Sequence, residues 1–400
     1  MNRQLKKLRR AAQFRLRKKT SPVIGLVVSS FDKGGLEQVV LNLYRGYRQA
    51  GYPAYILVEQ NILGAMAAEV PPQDIFVFDR NEDAFLAFCF SKGINTLHYH
   101  YNTYMMRGAR WIGFRILYTI HNIYTWKSEA EMQAYAALLQ NAHCLVAVSS
   151  FVKDYFCTRT HFSEDRVQVI NNGIDLTQLL CDAPCSITRA ELGLAPNCTA
   201  FAFVASFHPV KHQIGMLGVM EQLRRTDPHI HLLLVGNHGN EAYYRDFCHA
   251  LEKSPAKENI HLVPYLSHVQ MGSFLRTVPD AFLLPTLQEG CSNAVLEALC
   301  CGLPMVLTDV GNAREVANTG ACIIVPPAYE NAAGLNAAEI EQLSHHTQNS
   351  NTGALVQAMR QMTAELPQRR EAARLAAQCS QAYSISAMVQ AYLGLMKGTR

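Results

Sequence analysis

A chain of 400 residues, about half of them hydrophobic and 17% charged, has the composition of a globular protein rather than a disordered or membrane-embedded one. Its length predicts two domains of roughly 150–200 residues each, and no apolar run approaches the ~18 residues of a membrane-spanning helix. Residues 1–20 hold nine Lys or Arg and no acid, so the net charge of +4 leaves −5 on the other 380 residues. The sequence therefore predicts a mildly acidic body with a basic N-terminal arm, and no secretory leader because no apolar segment follows the charges.

The arm at residues 1–20 has two main interpretations that its composition leaves open. It is either a solvated terminus or a peripheral attachment to anionic lipid, where each basic residue near the surface contributes about 1 kcal/mol. Transit peptides and nucleic-acid-binding arms have similar compositions. We favour an anionic membrane surface, expect no nucleic-acid partner, and expect a cytoplasmic protein, peripheral at the inner face of the cytoplasmic membrane. The twelve cysteines include no CxxC and no zinc-binding spacing, which agrees with reduced thiols in a cytosol.

The first half of the chain alternates predicted strands and helices. An apolar strand at 22–30 leads into Gly34-Gly35 and then into a helix whose apolar residues recur at helical spacing until Gly51. Further strands are predicted at 54–58, 75–78, 94–99, 116–121 and 144–148, and residues 166–171 end this half. This alternation is typical of a parallel sheet covered by helices on both faces. It predicts a first domain over residues 21–175.

The same pattern restarts after a linker at 176–198, which contains prolines and polar residues. Strands are predicted at 199–207, 231–235, 260–263, 281–284, 304–308 and 322–325, which gives a second domain over residues 199–380. Residues 326–352 are rich in Asn, Ala and His and are predicted to form a surface excursion. The amphipathic end at 381–400 is expected to form a helix that packs back towards the first domain. Two doubly wound domains that face each other leave a cleft at the carboxyl ends of their strands, where ligands bind.

The segment from Pro285 to Leu299 carries the most informative chemistry. It follows a predicted strand and opens a helix, with Glu289 in the loop and Glu297 about two turns further on. Loop amides and a helix N-terminus suit a diphosphate, because that end of a helix carries about half a positive charge. A Glu on a helix is usually a solvated surface residue, but Glu297 stands among Val, Leu and Ala, where a charge needs a reason. These positions suit Glu297 for a ribose diol and Glu289 for sugar hydroxyls.

The two glutamates form an E-x7-E pattern within the block LLPTLQEGCSNAVLEALCCGLPMVLTDVGNAREV. This block resembles the donor site of the retaining glycosyltransferases of the GT-B fold, glycosyltransferase family 4. The resemblance extends, in the expected order, through SSFDKGGLEQVVLNLYRGYRQAGY, LYTIHN, LVAVSS, VINNGID and LLLVGNHG, from about residue 22 to 325. It implies an α/β GT-B fold of two facing Rossmann-like, doubly wound parallel-sheet domains with an interdomain cleft. The first would be the acceptor-side domain and the second the nucleotide-sugar donor domain.

The resemblance also implies a set of site residues. The expected catalytic set is His121, Lys211 and Glu289, and the expected donor-binding set is Gly34, Gly35, Lys211, Ser292, Asn293 and Glu297. His121, at the end of a predicted strand, matches the family's cleft histidine near the transferred sugar, and Lys211 matches the Lys that binds the donor diphosphate. Ser206 stands where the family usually has an Arg, which removes a planar bidentate ligand for phosphate. A protonated His208 would replace part of that charge.

Other polar residues near these motifs are not assigned to the site. His98 and His100 flank Tyr99 on a predicted strand, and we expect at most one of them to point into the cleft. Residues 172–175, Asn-Gly-Ile-Asp, lie at the hinge between the domains and are given a structural role.

No D-x-D triplet occurs that would hold a metal–diphosphate complex, so the sequence predicts a site without a metal. By the resemblance we expect a retaining transfer, with no cofactor, from a nucleotide-sugar, commonly a UDP-sugar in the family. The expected acceptor is a glycan or lipid-linked precursor of cell-envelope polysaccharide or lipopolysaccharide. Two alternatives stay open: a sugar-nucleotide 2-epimerase, and a non-catalytic relative that binds a nucleotide-sugar or a partner, which the substitution at Ser206 keeps open. A nicotinamide oxidoreductase is disfavoured, because the first strand leads into DKGGLE rather than G-x-G-x-x-G.

Overall fold

The computed structural model describes residues 21–32 and 34–398, so the predicted arm at 1–20 lies outside the described residues. The first half alternates strands and helices along the chain. Its elements are β1 (Ile24–Val28), α1 (Gly35–Gln49), β2 (Ala54–Val58), β3 (Ile75–Val77), α2 (Glu82–Lys92), β4 (Thr96–His100), α3 (Met106–Ile112), β5 (Arg115–Ile120), α4 (Glu129–Leu139), β6 (Cys144–Ala147), α5 (Ser150–Thr160), β7 (Val167–Val169) and the short α6 (Leu176–Leu179).

The second half repeats the alternation and ends in four helices. Its elements are β8 (Thr199–Val204), α7 (Gln213–Thr226), β9 (Ile230–Val235), α8 (Glu241–Lys253), β10 (Ile260–Val263), α9 (His268–Thr277), β11 (Ala281–Leu284), α10 (Asn293–Cys300), β12 (Met305–Thr308), α11 (Ala313–Ala317), β13 (Cys322–Val325), α12 (Ala337–Ser344), α13 (Thr352–Ala364), α14 (Leu366–Ala377) and α15 (Ile385–Gly398).

These strands form two parallel sheets. The first has the order β3-β2-β1-β4-β5-β6-β7 and the second the order β10-β9-β8-β11-β12-β13. β1 pairs with both β2 and β4, and β8 pairs with both β9 and β11. The strand order therefore reverses at β1/β4 and at β8/β11, and such switch points open a crevice at the carboxyl ends of the strands. The predicted α/β fold of two Rossmann-like, doubly wound sheets is confirmed.

The C-terminal helix α15 packs against α1 of the first sheet's domain. A side chain on Gly46 of α1 would collide with Val389, and Arg115 at the start of β5 donates to the carbonyl of Met396. A backbone bridge between Ile174 and Ser384 brings the chain back to the first domain before this helix begins. The last segment of the chain therefore covers the core of the first domain.

Residues 326–352 are less exposed than the sequence predicted. Ala328, Leu335 and Ile340 are buried and belong to the hydrophobic cluster on one face of the first sheet. This segment also contains α12, and many of its other residues are exposed, so it lies at the surface and is anchored by these apolar side chains. The Asn- and His-rich composition of the segment gave no sign of these anchoring contacts. Among the described residues, no helix is both long enough and apolar enough to cross a membrane.

Candidate active site

The loops with most of the predicted site residues follow strands at the two switch points. In the first sheet, the loop after β1 leads to Gly34 and Gly35, which open α1. Gly34 has a positive φ of 150°, and a Cβ on it would approach the carboxylate of Glu37, whereas a Cβ on Gly35 would meet nothing within 4 Å. The space beside Gly35 is therefore open at a helix N-terminus, as a backbone approach to a phosphate requires.

In the second sheet, the loops after β8 and β11 are tied together. The hydroxyl of Thr286 donates to the carbonyl of Val210 over 2.7 Å, and the amide of Leu287 donates to the same oxygen. This brings Lys211 and Glu289, which are 78 positions apart, into an ion pair between Nζ and Oε1. Their side chains are only 20% and 13% exposed, so the pair is largely shielded from water.

Glu297 lies inside α10, about one turn after the helix begins at Asn293. Among the described residues no hydrogen bond or ion pair engages its carboxylate, and burial raises its pKa from 4.5 to about 7. It lines a pocket together with Asn293 and with residues of α1 and of the chain just before and within α6, namely Gln38, Asn42, Arg45, Ile174, Asp175, Gln178 and Leu179. A half-buried carboxylate that lines a pocket without a partner is suited to accept hydrogen bonds from a ligand's hydroxyl groups.

Ser292 and Asn293 begin α10 and are already engaged within the protein. The Ser292 hydroxyl caps the helix by accepting from the amide of Val295, and its own amide donates to Asn312. The side-chain oxygen of Asn293 accepts a 3.0 Å bond from Asn172, which also donates to the carbonyl of Cys291. These two predicted donor-binding residues therefore shape the helix N-terminus and link it to the hinge.

His121 lies directly after β5, and its ring is held by a second histidine. His100 Nδ1 and His121 Nε2 are 2.8 Å apart. Burial lowers the pKa of His121 to about 3 and that of His98 to about 3, and it lowers the pKa of His100 well below its ordinary value. All three rings are therefore neutral at physiological pH, and His121 can act as a hydrogen-bond donor or acceptor but not as a cation.

His98 and His100 lie on the same face of β4, and only the His100 ring reaches His121. Their ring centroids are 4.1 Å apart, because residues i and i+2 on a strand point to the same face. His98 lies deeper, between Tyr47 and Thr119, and His100 lies between it and His121. The spacing of two in the sequence was the signal that could have identified His100.

The two domains meet directly at these loops. Gln288 accepts a 2.9 Å bond from the Thr125 hydroxyl and donates to Asn122 over 2.8 Å. The Ser149 hydroxyl donates to the carbonyl of Gly290, and any Cβ on Gly290 would overlap the carbonyl oxygen of His121. The structure therefore brings the Glu289 loop of one domain against the His121 loop of the other, and the predicted catalytic residues lie around one cleft.

Ser206 stands where the family usually has an Arg, and the nearby His208 does not supply the missing positive charge. Ser206 is half-buried in the loop after β8, and its carbonyl accepts a 2.9 Å bond from Gln213. Burial and the nearby Lys211 lower the pKa of His208 below its ordinary value, so His208 is neutral near pH 7 and does not replace the missing charge. No group of three or more His, Cys, Asp or Glu that could hold a metal ion occurs in the part of the chain that the structure describes.

Comparison with known families covers most of the chain. The family described as Glycosyltransferase Family 4 matches residues 33–178, and the family described as Glycosyl transferases group 1 matches residues 186–354. "Putative glycosyltransferase EpsF" of Bacillus subtilis is 25% identical over 309 residues, 71% of this chain and 78% of that protein. D-inositol 3-phosphate glycosyltransferase of Segniliparus rotundus is 28% identical over 147 residues, which are 36% of this chain and about a third of that protein.

Solved structures with the same fold align over almost the whole chain. Anabaena Alr3699/HepE in complex with UDP has a TM-score of 0.71 at 18% identity and covers 94% of this chain and 99% of its own. WaaG, a glycosyltransferase involved in lipopolysaccharide biosynthesis, has a TM-score of 0.63 at 15% identity and covers 94% and 100%. Both matching families are glycosyltransferase families, which favours the transferase over the epimerase and the non-catalytic alternative. With both of its halves matched and its two facing sheets in place, this chain belongs to the GT-B glycosyltransferases of the family 4 type.

Proposed function

We propose that the chain transfers a sugar from a nucleotide-sugar to a glycan or lipid-linked acceptor, without a metal ion and with retention of anomeric configuration. One observation carries the proposal: the Lys211–Glu289 pair of the second domain lies beside Gly290, which contacts the His121 carbonyl of the first domain. A shielded cation and a carboxylate of one domain would then face the cleft beside the loop that carries a neutral imidazole of the other. That set suits a diphosphate leaving group attached to a sugar.

The donor is proposed to lie along the second domain with its diphosphate at Lys211. Gly34 and Gly35 would offer backbone amides from the facing domain, and Asn293 would offer its amide at the start of α10, which Ser292 caps. Glu297, with no partner among the described residues, would accept hydrogen bonds from the ribose. A UDP-sugar is the proposed donor, supported by the family resemblance and by the similarly folded Anabaena protein, whose structures hold UDP and UDP-glucose.

The chemistry proposed for these residues is electrostatic. As the bond between the anomeric carbon and the diphosphate oxygen breaks, negative charge grows on the diphosphate, and Lys211 and the loop amides are positioned in advance to stabilise it. His121, neutral at physiological pH, would hydrogen-bond the transferred sugar, and Glu289 would bind its hydroxyls. The acceptor oxygen would attack from the face that the diphosphate leaves, with its proton passing to a departing phosphate oxygen, which preserves the anomeric configuration.

The proposed acceptor is lipid-linked or part of a cell-envelope polysaccharide or lipopolysaccharide, reached from the inner face of the cytoplasmic membrane. The basic composition of residues 1–20 supports attachment to anionic lipid. Co-sedimentation with vesicles containing phosphatidylglycerol, compared with phosphatidylcholine vesicles, tests this for the full chain and for residues 21–400. Binding by the full chain that is equal for both vesicle types would contradict the attachment.

The central experiment follows nucleoside diphosphate by mass spectrometry while a nucleotide-sugar panel and candidate acceptors are added. Donors are first selected by thermal shift, since a ligand at 100 times its Kd adds about 2.7 kcal/mol of stability. Diphosphate release in step with acceptor glycosylation, unaffected by EDTA, is the expected result, and proton NMR of the product would show a retained anomeric configuration. Altered sugar without transfer would indicate an epimerase, and activity lost in EDTA and restored by manganese would contradict a metal-free site.

A further inference from the structure

An aromatic cluster lies at the carboxyl ends of β4 and β5, beside His121. Tyr101 directly follows β4, and Tyr124 and Trp126 lie in the loop after β5. The Tyr101 ring stacks on His121 with centroids 5.7 Å apart and planes at 19°, and it also stacks on Trp126 at 6.5 Å. Tyr124 meets Tyr101 and Trp126 edge-on at 5.2 and 5.4 Å. The cluster therefore extends outward from the proposed reaction centre along the first domain.

Two members of this cluster have unusual backbones. Tyr101 has a φ of 55° and Tyr124 a φ of 46°, and bulky residues rarely adopt the left-handed region because their side chains crowd the backbone there. Their surroundings hold them in place: the Tyr124 hydroxyl accepts from the amide of His121 and is bonded to Tyr135. Backbone strain of this kind concentrates at binding and catalytic sites, where it orients a side chain.

Trp126 is the exposed end of the cluster. It is 54% exposed, although it immediately follows Thr125, whose hydroxyl bonds to Gln288 of the donor-side loop. Burial raises the pKa of Tyr101 well above its ordinary value, and among the smaller contributions is the nearby carboxylate of Glu37. An open indole surface thus lies next to the cleft.

The chemistry of this surface identifies its ligand class. An aromatic face is apolar and carries partial negative charge, which matches the C–H face of a pyranose ring, while the ring's hydroxyls point outward to polar groups. A planar nucleobase would also stack on an indole, but the donor nucleotide is proposed to lie along the other domain, at Glu297. We propose that Trp126, supported by Tyr101, binds the ring of the acceptor sugar, so that the acceptor presents a pyranose next to His121. This inference rests on the proposed function for the position of the donor.

The chain offers a direct test because it has only two tryptophans. The other, Trp111, is 52% exposed and lies in the last turn of α3, near the amino end of β5 and so at the opposite end of the strands from Trp126. In Trp111→Phe the fluorescence therefore reports on Trp126 alone. We expect methyl hexopyranosides to change this emission and sorbitol, which has hydroxyls but no ring, to leave it unchanged. The matched variant Trp126→Phe should show no response, and a response of Trp111→Phe to UDP alone would overturn the assignment.

Kinetics separate this proposal from the function on which it rests. Trp126→Ala should raise the acceptor KM about tenfold, which corresponds to about 1.4 kcal/mol, and leave the Kd of the nucleotide-sugar unchanged. Trp111→Ala should change neither constant. If the acceptor KM is unchanged in Trp126→Ala while the wild-type chain transfers sugar, only the proposed contact between Trp126 and the acceptor sugar is refuted. A wild-type chain that neither binds nor cleaves a nucleotide-sugar would instead refute the proposed function.

The source of the sugar is distinguished by presenting the same pyranose as a methyl glycoside and on a polyprenyl phosphate. An equal rise of KM for both substrates in Trp126→Ala supports contact with the ring. A rise confined to the polyprenyl substrate would mean that the indole contacts the carrier, and it would overturn the proposal.

Discussion

Removal of Lys211 would change two interactions in the proposed donor site. Lys211→Ala deletes the side-chain cation proposed to face the leaving diphosphate. It also leaves the carboxylate of Glu289 without its ion-pair partner, close to where the dianionic group is proposed to bind. The neighbouring Ser206 and the neutral His208 supply no charge in compensation. The variant therefore loses the attraction of Lys211 for the diphosphate and exposes the diphosphate to repulsion by Glu289, and both changes should weaken donor binding.

The size of the effect can be bounded from the geometry. Loss of one preorganised donor to a developing oxyanion typically costs about 2.7–4 kcal/mol, so we expect kcat/KM to fall at least about a hundredfold. The effect on folding should be smaller. With side chains 20% and 13% exposed, the pair lies between surface pairs, worth about 0–1 kcal/mol, and buried pairs, where removal of one partner costs about 3–5 kcal/mol. We expect a loss of roughly 1–2 kcal/mol in the free energy of unfolding.

The matched control is Lys257→Ala, which breaks a Lys–Glu pair with Glu252 in the same domain where the side chains are 45% and 66% exposed. Steady-state release of nucleoside diphosphate gives kcat/KM for both variants, and calorimetric titration gives the donor Kd. The double variant Lys211→Ala/Glu289→Gln should bind donor more tightly than Lys211→Ala alone, because the uncovered carboxylate is gone. Equal and small effects of Lys211→Ala and Lys257→Ala would place Lys211 outside the site and refute this reasoning.

Three further predictions concern single side chains. Burial raises the pKa of Glu297 to about 7, so the folded state holds this proton more tightly than the unfolded chain, and stability should fall as pH rises from about 4.5 to 7. Glu297→Gln should lessen that fall, measured as melting temperature against pH, and should weaken donor binding. An unchanged donor Kd would contradict the role of Glu297. His100→Phe should lower kcat about tenfold with little change in donor KM, because the variant keeps an aromatic ring but removes the hydrogen bond that holds the His121 ring. His100→Asn should restore part of the rate, and an equal loss in both variants would argue that His100 does not position His121. Ser206→Arg should tighten donor binding about tenfold through a charge-assisted bond to phosphate, measured by calorimetry, and weaker binding would show that the local backbone does not match the family.

Most of the fold follows from local patterns in the sequence. Near-continuous apolar runs such as Ile24–Val28 and Ile230–Val235 predict buried parallel strands, and every strand that was expected in the second half is present. In a parallel sheet the loops that follow the strands all lie at the carboxyl end of the sheet, whatever the order of the strands. The loops that carry Lys211 and Glu289 could therefore be placed at one edge of the sheet before any coordinates were known.

The supporting contacts of the site could not be predicted in the same way. His100 holds His121 through a hydrogen bond between the ends of neighbouring strands. The sequence of a strand does not show which strands are its neighbours in the sheet. The anchoring contacts of the segment at 326–352 could not be predicted for a related reason. Ala328, Leu335 and Ile340 are scattered among polar residues, and only the approach of the first domain makes their burial favourable. Pairings of this kind depend on tertiary geometry rather than on periodicity.

Gly290 shows how far that dependence reaches. In the sequence it follows Glu289 and is indistinguishable from a glycine that a tight turn requires, yet it is absent from the residues with positive φ. Its requirement is spatial, because any Cβ would overlap the carbonyl of His121, which comes from the other domain. Gly311, in contrast, has a φ of 60° and also lies against Glu289, so its own backbone demands glycine. Gly311 is thus required by its own backbone conformation and Gly290 by the contact between the two domains. It is the contact at Gly290 that brings the Glu289 loop and His121 to a common cleft.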